Sequence, residues 1–135
     1  MRAKRLLLLS LILAAACKPP TPAEQLDTIL SWIGTAGMTG HAWLRHTTPD
    51  KYSRETLELS STTVEQISKD LLKSPPPGID TAALDSVLAR SRATMARMAT
   101  LITAKNSPDF AHELDALRAY QKLIQHFSDS IETKQ

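Results

Sequence analysis

Cysteine, glycine and aromatic side chains are all scarce in this chain of 135 residues. A single cysteine excludes an internal disulfide framework and any zinc site built from several cysteines. Four glycines and eight prolines are too few for a collagen-like or low-complexity chain. There is no Gly-x-Ser-x-Gly elbow, no phosphate-binding glycine loop and no His-Glu-x-x-His pair. The length allows one domain, and we predict that it is not an enzyme.

The chain also carries no large excess of positive or negative charge once residues 1–16 are left out. The chain has 16 Lys and Arg against 14 Asp and Glu, a formal charge of +2 and a pI near 8.8. Three of the basic residues are Arg2, Lys4 and Arg5. Without residues 1–16, 13 basic residues stand against 14 acidic ones, and the net charge is −1. We therefore predict no nucleic-acid partner, because such binding depends on a basic surface.

Residues 1–16 have the layout of a secretory signal peptide. The three basic residues precede an apolar run over 6–16 that only Ser10 interrupts. That run is too short for a membrane span, which needs about 20 apolar residues. The segment therefore predicts export from the cytoplasm.

The only cysteine, Cys17, follows three alanines that begin at Ala14 and precedes Lys18. Here the chain resembles the bacterial lipoproteins, whose lipobox is a short Leu-small-small-Cys stretch. The resemblance covers the leader alone, and Ala14 stands where the class prefers Leu. It implies that Cys17 is lipidated and becomes the first residue of the mature chain. The alternative is cleavage by an ordinary signal peptidase, which leaves a soluble periplasmic protein with a free thiol.

The resemblance also implies a location. In the lipoprotein class, an Asp after the cysteine often signals retention in the inner membrane. Lys18 at that position therefore implies the outer membrane, with the protein facing the periplasm. Residues 17–23 would form a Pro-rich tether between the lipid and a single helical domain at 24–135.

Apolar residues recur at helical spacing through this domain, and prolines divide it into four segments. The predicted helices cover about 24–46, 49–73, 80–105 and 108–132. Because short connections favour antiparallel neighbours, we predict an all-α protein folded as an antiparallel four-helix bundle. The alternative is two αα-hairpins hinged at Pro75, Pro76 and Pro77.

Polar residues at three helix starts support these limits. Thr48 and Ser107 each precede Pro and Asp, a pattern that predicts a hydroxyl N-cap with Pro at the first helical position. Asp80 is predicted to cap the third helix. Met95 and Met98 occupy consecutive apolar positions of that helix, and we predict that both lie in the core.

Three glycines, Gly34, Gly37 and Gly40, interrupt the first predicted helix. Each costs about 1 kcal/mol relative to Ala in a helix interior, so packing or function should require them. The apolar stripe predicted for this helix consists of Leu26, Leu30, Ile33, Gly37, Gly40 and Leu44. We expect the glycines to face small residues of the second helix, at Thr56 and 60–63. They would then allow either close helix packing or a groove for an apolar ligand or partner helix.

Trp43, Arg45, His46 and Tyr52 collect around the first predicted turn. Trp, Tyr and Arg supply much of the binding energy in protein interfaces, and this end of the bundle lies farthest from the tether. A partner-binding tip is one interpretation. The other is that Trp43 and Tyr52 plug the end of the core while the two basic residues are solvated.

Four histidines invite a metal hypothesis. On a helical wheel, however, His41, His112 and His126 lie about 100°, 120° and 160° from the centres of their apolar stripes. The inward Glu-x-x-His pairs of di-iron bundles and the Cys-x-x-Cys-His haem motif are missing from the sequence. We therefore predict no metal and no cofactor. Arg90 and Arg97 share a face of the third helix, which we predict to be solvated.

These features predict a small envelope lipoprotein that acts as a non-catalytic binding or structural accessory factor. Its partners would be the membrane, through lipidated Cys17, and a protein of the cell envelope. The alternative prediction is a periplasmic carrier that holds a small apolar ligand or a metal within the bundle.

Overall fold

The computed structural model describes residues 18–133, so the predicted signal peptide and Cys17 lie outside the described residues. The described chain forms four α-helices and no strand. They are α1 (Pro22–Leu44), α2 (Asp50–Lys73), α3 (Thr81–Thr103) and α4 (Ser107–Thr133). Short connections at 45–49, 74–80 and 104–106 join them.

The four helices form a ring of antiparallel neighbours. Each helix packs against the next in the chain, α4 closes the ring against α1, and α2 and α4 lie across a diagonal without contact. The predicted four-helix bundle is therefore confirmed. The alternative of two hinged hairpins is wrong, because α2 and α3 pack along each other and Pro76, in the connection that joins them, is buried.

The first helix begins and ends two residues earlier than predicted. At its start, the Thr21 hydroxyl accepts from the Glu24 backbone N–H at 3.2 Å, and the Glu24 carboxylate accepts from the Thr21 N–H at 3.4 Å. This capping box makes Pro22 the first helical residue and shortens the predicted tether to residues 18–21. At its end, His46 adopts a left-handed conformation with φ 57°, so α1 stops at Leu44.

One of the three predicted caps is confirmed. The Asp80 carboxylate accepts from the Ala83 N–H at 3.0 Å. Thr48 does not cap α2; its hydroxyl is hydrogen-bonded to that of Ser53 at 2.8 Å, and α2 starts one residue later than predicted. The residue that caps α4 is Asn106 rather than Ser107, since the Asn106 side chain accepts from the Asp109 N–H at 3.1 Å.

The core runs the length of the bundle and is made of aliphatic side chains, Met95, Met98, Trp43 and Phe110. The burial of both methionines confirms their predicted place. The buried polar side chains of residues 18–133 are all hydroxyls: Thr39, Ser53, Ser60, Ser68, Ser91, Thr94 and Ser128. The interior of the described chain therefore holds no carboxylate, imidazole or ammonium group.

Candidate functional site

The glycines of α1 face α4, not α2 as predicted. A Cβ built on Gly34 would meet the Gln121 side chain of α4 at 3.6 Å. The buried stripe of α1 is rotated from the predicted one and consists of Leu26, Ile29, Ile33, Ala36, Thr39, Gly40 and Trp43. This rotation turns Gly34 and Gly37 away from α2, so the groove expected between α1 and α2 is wrong.

The three glycines serve different purposes. A Cβ on Gly40 would lie 2.9 Å from Met98, 3.2 Å from Phe110 and 3.3 Å from Leu114, so close packing of α1 on α3 and α4 requires this glycine. A Cβ on Gly37 would meet no atom within 4 Å. Packing within the described chain therefore explains Gly40 and leaves Gly37 unexplained.

Gly34 and Gly37 form the floor of an open depression between α1 and α4. It encloses about 430 Å³, and its other lining residues are Ser31, Thr35, Met38, His41, Arg118 and Gln121. Met38 stands beside this floor with 71% of its surface exposed, the largest exposed fraction among the big apolar side chains of residues 18–133. The outer side of α1 thus presents a projecting side chain next to a hole.

At the end of the bundle where α1 meets α2, the two aromatic residues predicted to lie there differ in burial. Trp43 is buried, its ring lies 4.5 Å from that of Phe110, and its indole N–H donates to the Asp50 carboxylate at 2.8 Å. Trp43 closes the end of the core, as the second interpretation predicted, whereas the same prediction for Tyr52 is wrong. Tyr52 is 57% exposed, and Arg45 and His46 are exposed as well. Of the four predicted tip residues, three are accessible to a partner.

Tyr52 shares its side of α2 with Leu59, which is 56% exposed. The opposite flank of α2 faces α3, since the Ser61 hydroxyl donates to the Arg92 carbonyl oxygen at 2.9 Å. Tyr52 and Leu59 lie about 160–180° round the helix from Ser61, on the flank beside α1. Apolar periodicity does not reveal Leu59 as a surface residue, because it assigns apolar side chains at helical spacing to the core.

The side of α1 next to this flank carries no charge. From 28 to 44, α1 has no Asp, Glu, Lys or Arg, whereas α2, α3 and α4 all carry charged side chains on their outer surfaces. We define the neutral face by six residues: Thr28 and Thr35 of α1 with Tyr52, Thr56, Leu59 and Thr63 of α2. It extends along the outside of the α1–α2 pair, parallel to the bundle axis.

The histidines and the basic residues of α3 lie at the surface. His41, His112 and His126 are exposed, and no three His, Cys, Asp or Glu side chains of residues 18–133 come together as a metal-binding group. Arg90 and Arg97 are both exposed, as predicted for a solvated face. The Arg97 guanidinium also donates to the Glu113 carboxylate of α4 at 3.2 Å.

No helix within residues 18–133 is long and apolar enough to cross a bilayer. Neither a known family model, nor a curated protein, nor a solved structure matches this chain. Function therefore has to be inferred from the residues and their placement.

Proposed function

We propose that this protein is a lipid-anchored accessory factor of the bacterial cell envelope, which binds another envelope protein through the neutral face. It is not a catalyst in this proposal. Cys17 supplies the membrane attachment, and the bundle is a rigid support for the binding surface.

The neutral face is the observation that carries the proposal. Protein interfaces are depleted in Lys, Glu and Asp and enriched in Tyr and Met. The six residues of the neutral face have that composition, with Tyr52 and Leu59 exposed among threonines. The charged side chain beside them is Glu55, three residues after Tyr52 and four before Leu59, which pairs with Lys51. Exposed apolar side chains among uncharged polar ones favour contact with another protein surface.

The composition of the core favours binding at the surface over carriage inside the bundle. Carriers of metals within helical bundles use inward-facing carboxylates and histidines. The buried polar groups of residues 18–133 are serine and threonine hydroxyls, and aliphatic side chains fill the space between them. No observation in the described chain favours the alternative of a metal or ligand carrier.

The anchor is tested by replacing Cys17 with Ser in the full chain. We expect the variant to lose incorporation of labelled palmitate and to move from the membrane fraction to the soluble periplasmic fraction. The reason is that several acyl chains, each contributing about 0.8 kcal/mol per buried methylene, hold the protein on the membrane. Unchanged membrane fractionation would remove the anchor from the proposal.

The binding surface is tested by photo-crosslinking in intact cells. A photoreactive residue at Leu59 should give a discrete adduct with one envelope protein. The matched control is Leu123 of α4, which is 52% exposed and lies outside the neutral face. Leu59→Lys should abolish function in the cell while Leu123→Lys preserves it. Equal adducts from both positions would contradict a specific neutral face.

A further inference from the structure

We propose that two copies of this protein associate side by side and in parallel through the outer side of α1. Each Met38 enters the depression floored by Gly34 and Gly37 of the other copy. The surface involved adjoins the neutral face, which lies on the α2 side of α1, and Thr35 borders both.

The projecting Met38 and the hole beside it suit a two-fold contact. In such a contact the same patch of each copy meets that of the other, so Met38 of each copy can fill the depression of its partner. Met38 points directly away from the core, 71% exposed, and borders a depression of about 430 Å³. Methionine is flexible and fills irregular apolar gaps well.

The two glycines of the floor have no role within one copy. Glycine weakens a helix interior, and natural helices keep it where a backbone must be approached closely. Gly40 has such a neighbour inside the bundle, whereas a Cβ on Gly37 would meet nothing and one on Gly34 would make only an ordinary contact with Gln121. An occupant from outside accounts for both positions.

The spacing of the outer residues of α1 fits a parallel pair. Ser31, Gly34, Met38 and His41 follow one another at intervals of three and four residues, so they lie along one side of α1. In a parallel pair, a side chain at position i enters a hole bordered by partner positions i−4, i−1, i and i+3. For Met38 these are Gly34, Gly37, Met38 and His41, all of which line the depression.

Charge permits a second copy at this surface. A two-fold contact brings each residue near its own counterpart, so a charged patch would repel itself. Between 28 and 44, α1 carries no Asp, Glu, Lys or Arg. A second α1 therefore meets no like charge on the first α1 over these residues; the charged residue that lines the depression, Arg118, belongs to α4.

The parallel sense rests on the lipid anchor of the proposed function. With only residues 18–21 between Cys17 and α1, each anchor lies close to the start of its own helix. A parallel pair places both anchors in one membrane surface. An antiparallel pair would hold one anchor about 35 Å from that surface, the length of a 23-residue helix.

Disulfide trapping in native membranes tests the arrangement. Ser31 lies seven residues before Met38 on the same stripe, so Ser31→Cys should give a covalent dimer of the full chain under mild oxidation. Ser86→Cys is the matched control, since Ser86 is exposed on the outer side of α3. The unmodified chain, whose only cysteine is Cys17, sets the background. Equal trapping of both variants, or an adduct of Ser31→Cys with a different protein, would overturn the inference.

Filling the hole is the second test. Gly37→Leu adds a side chain to the depression at a position where a Cβ meets no atom within 4 Å, so we expect the fold to persist. In sedimentation of the detergent-solubilised full chain, we expect its dimer dissociation constant to rise at least about tenfold. An unchanged constant with an intact helical spectrum would overturn the inference. Leu59→Lys should leave dimerisation unchanged, so loss of the neutral face and loss of the dimer are separable.

Discussion

Glycine occurs on both the inner and the outer side of α1, but packing within one copy requires it only on the inner side. On the inner side, Gly40 lies under Met98, Phe110 and Leu114, where no Cβ fits. On the outer side, Gly37 lies under open space and Met38 projects beside it. Packing requires Gly40 but not Gly37, although the two glycines are only three residues apart. The difference shows that the reason for a glycine lies in its surroundings, which sequence alone does not reveal.

The largest expected effect comes from the aromatic residue at the inner side. Trp43→Ala should lower the free energy of unfolding by about 3–5 kcal/mol, the usual cost of removing a large buried aromatic side chain. The variant loses the ring contact with Phe110 and leaves the Asp50 carboxylate without its indole donor. Urea denaturation followed by circular dichroism measures the change. Tyr52→Ala, at an exposed position of the same tip, should stay within about 0.5 kcal/mol.

The next largest effect is the difference in stability between the variants Gly40→Leu and Gly37→Leu. Gly40→Leu should destabilise the fold by about 3 kcal/mol, because the added side chain has to displace three buried neighbours. Gly37→Leu should change stability by no more than about 0.5 kcal/mol. The same denaturation measurement compares the two variants. Equal losses at both sites would show that the outer side of α1 is packed within one copy after all.

Helix spacing predicted most of the fold. Apolar periodicity and prolines located all four helices, because burial on one side of each helix controls where apolar residues can stand. Local hydrogen bonds decided the helix ends. Thr21 with Glu24 and Asn106 act as caps in the structure, whereas the sequence pattern favoured Thr48 and Ser107. Several polar residues stand near each end, and backbone geometry selects one of them.

The candidate site was less predictable, because it depends on helix rotation. Two stripes can be drawn on α1, the predicted one through Leu30 and Gly37 and another through Ile29 and Ala36. The structure buries the second, and that rotation moves the glycines from the α2 side to the α4 side. Neighbouring helices determine such rotation through the shapes of their side chains. Leu59 became visible as a surface residue only once α2 was placed.

A smaller change, a gain in stability rather than a loss, is expected when alanine replaces Gly37 on the outer side of α1. Gly37→Ala should raise the free energy of unfolding by about 0.5–1 kcal/mol, since alanine is the better helix former and its Cβ meets nothing. Thermal denaturation at low protein concentration, where dimers are scarce, measures this gain. Gly34→Ala should behave similarly, because its Cβ makes only an ordinary contact with Gln121. A loss of stability at Gly37 would mean that something approaches the backbone there even in one copy.

The smallest expected effect is a rise of the thermal midpoint with protein concentration, caused by self-association through the outer side of α1. If two folded copies bind each other, mass action stabilises the folded state, by about 0.4 kcal/mol when the concentration equals the dissociation constant and by more above it. The thermal midpoint of the full chain in detergent should therefore rise with protein concentration. Met38→Lys places two like charges at the two-fold contact, so its midpoint should not depend on concentration. At high dilution both chains should unfold at the same temperature, because Met38 contributes little to the core of one copy. A midpoint that rises equally in both chains would place self-association on another surface of the bundle.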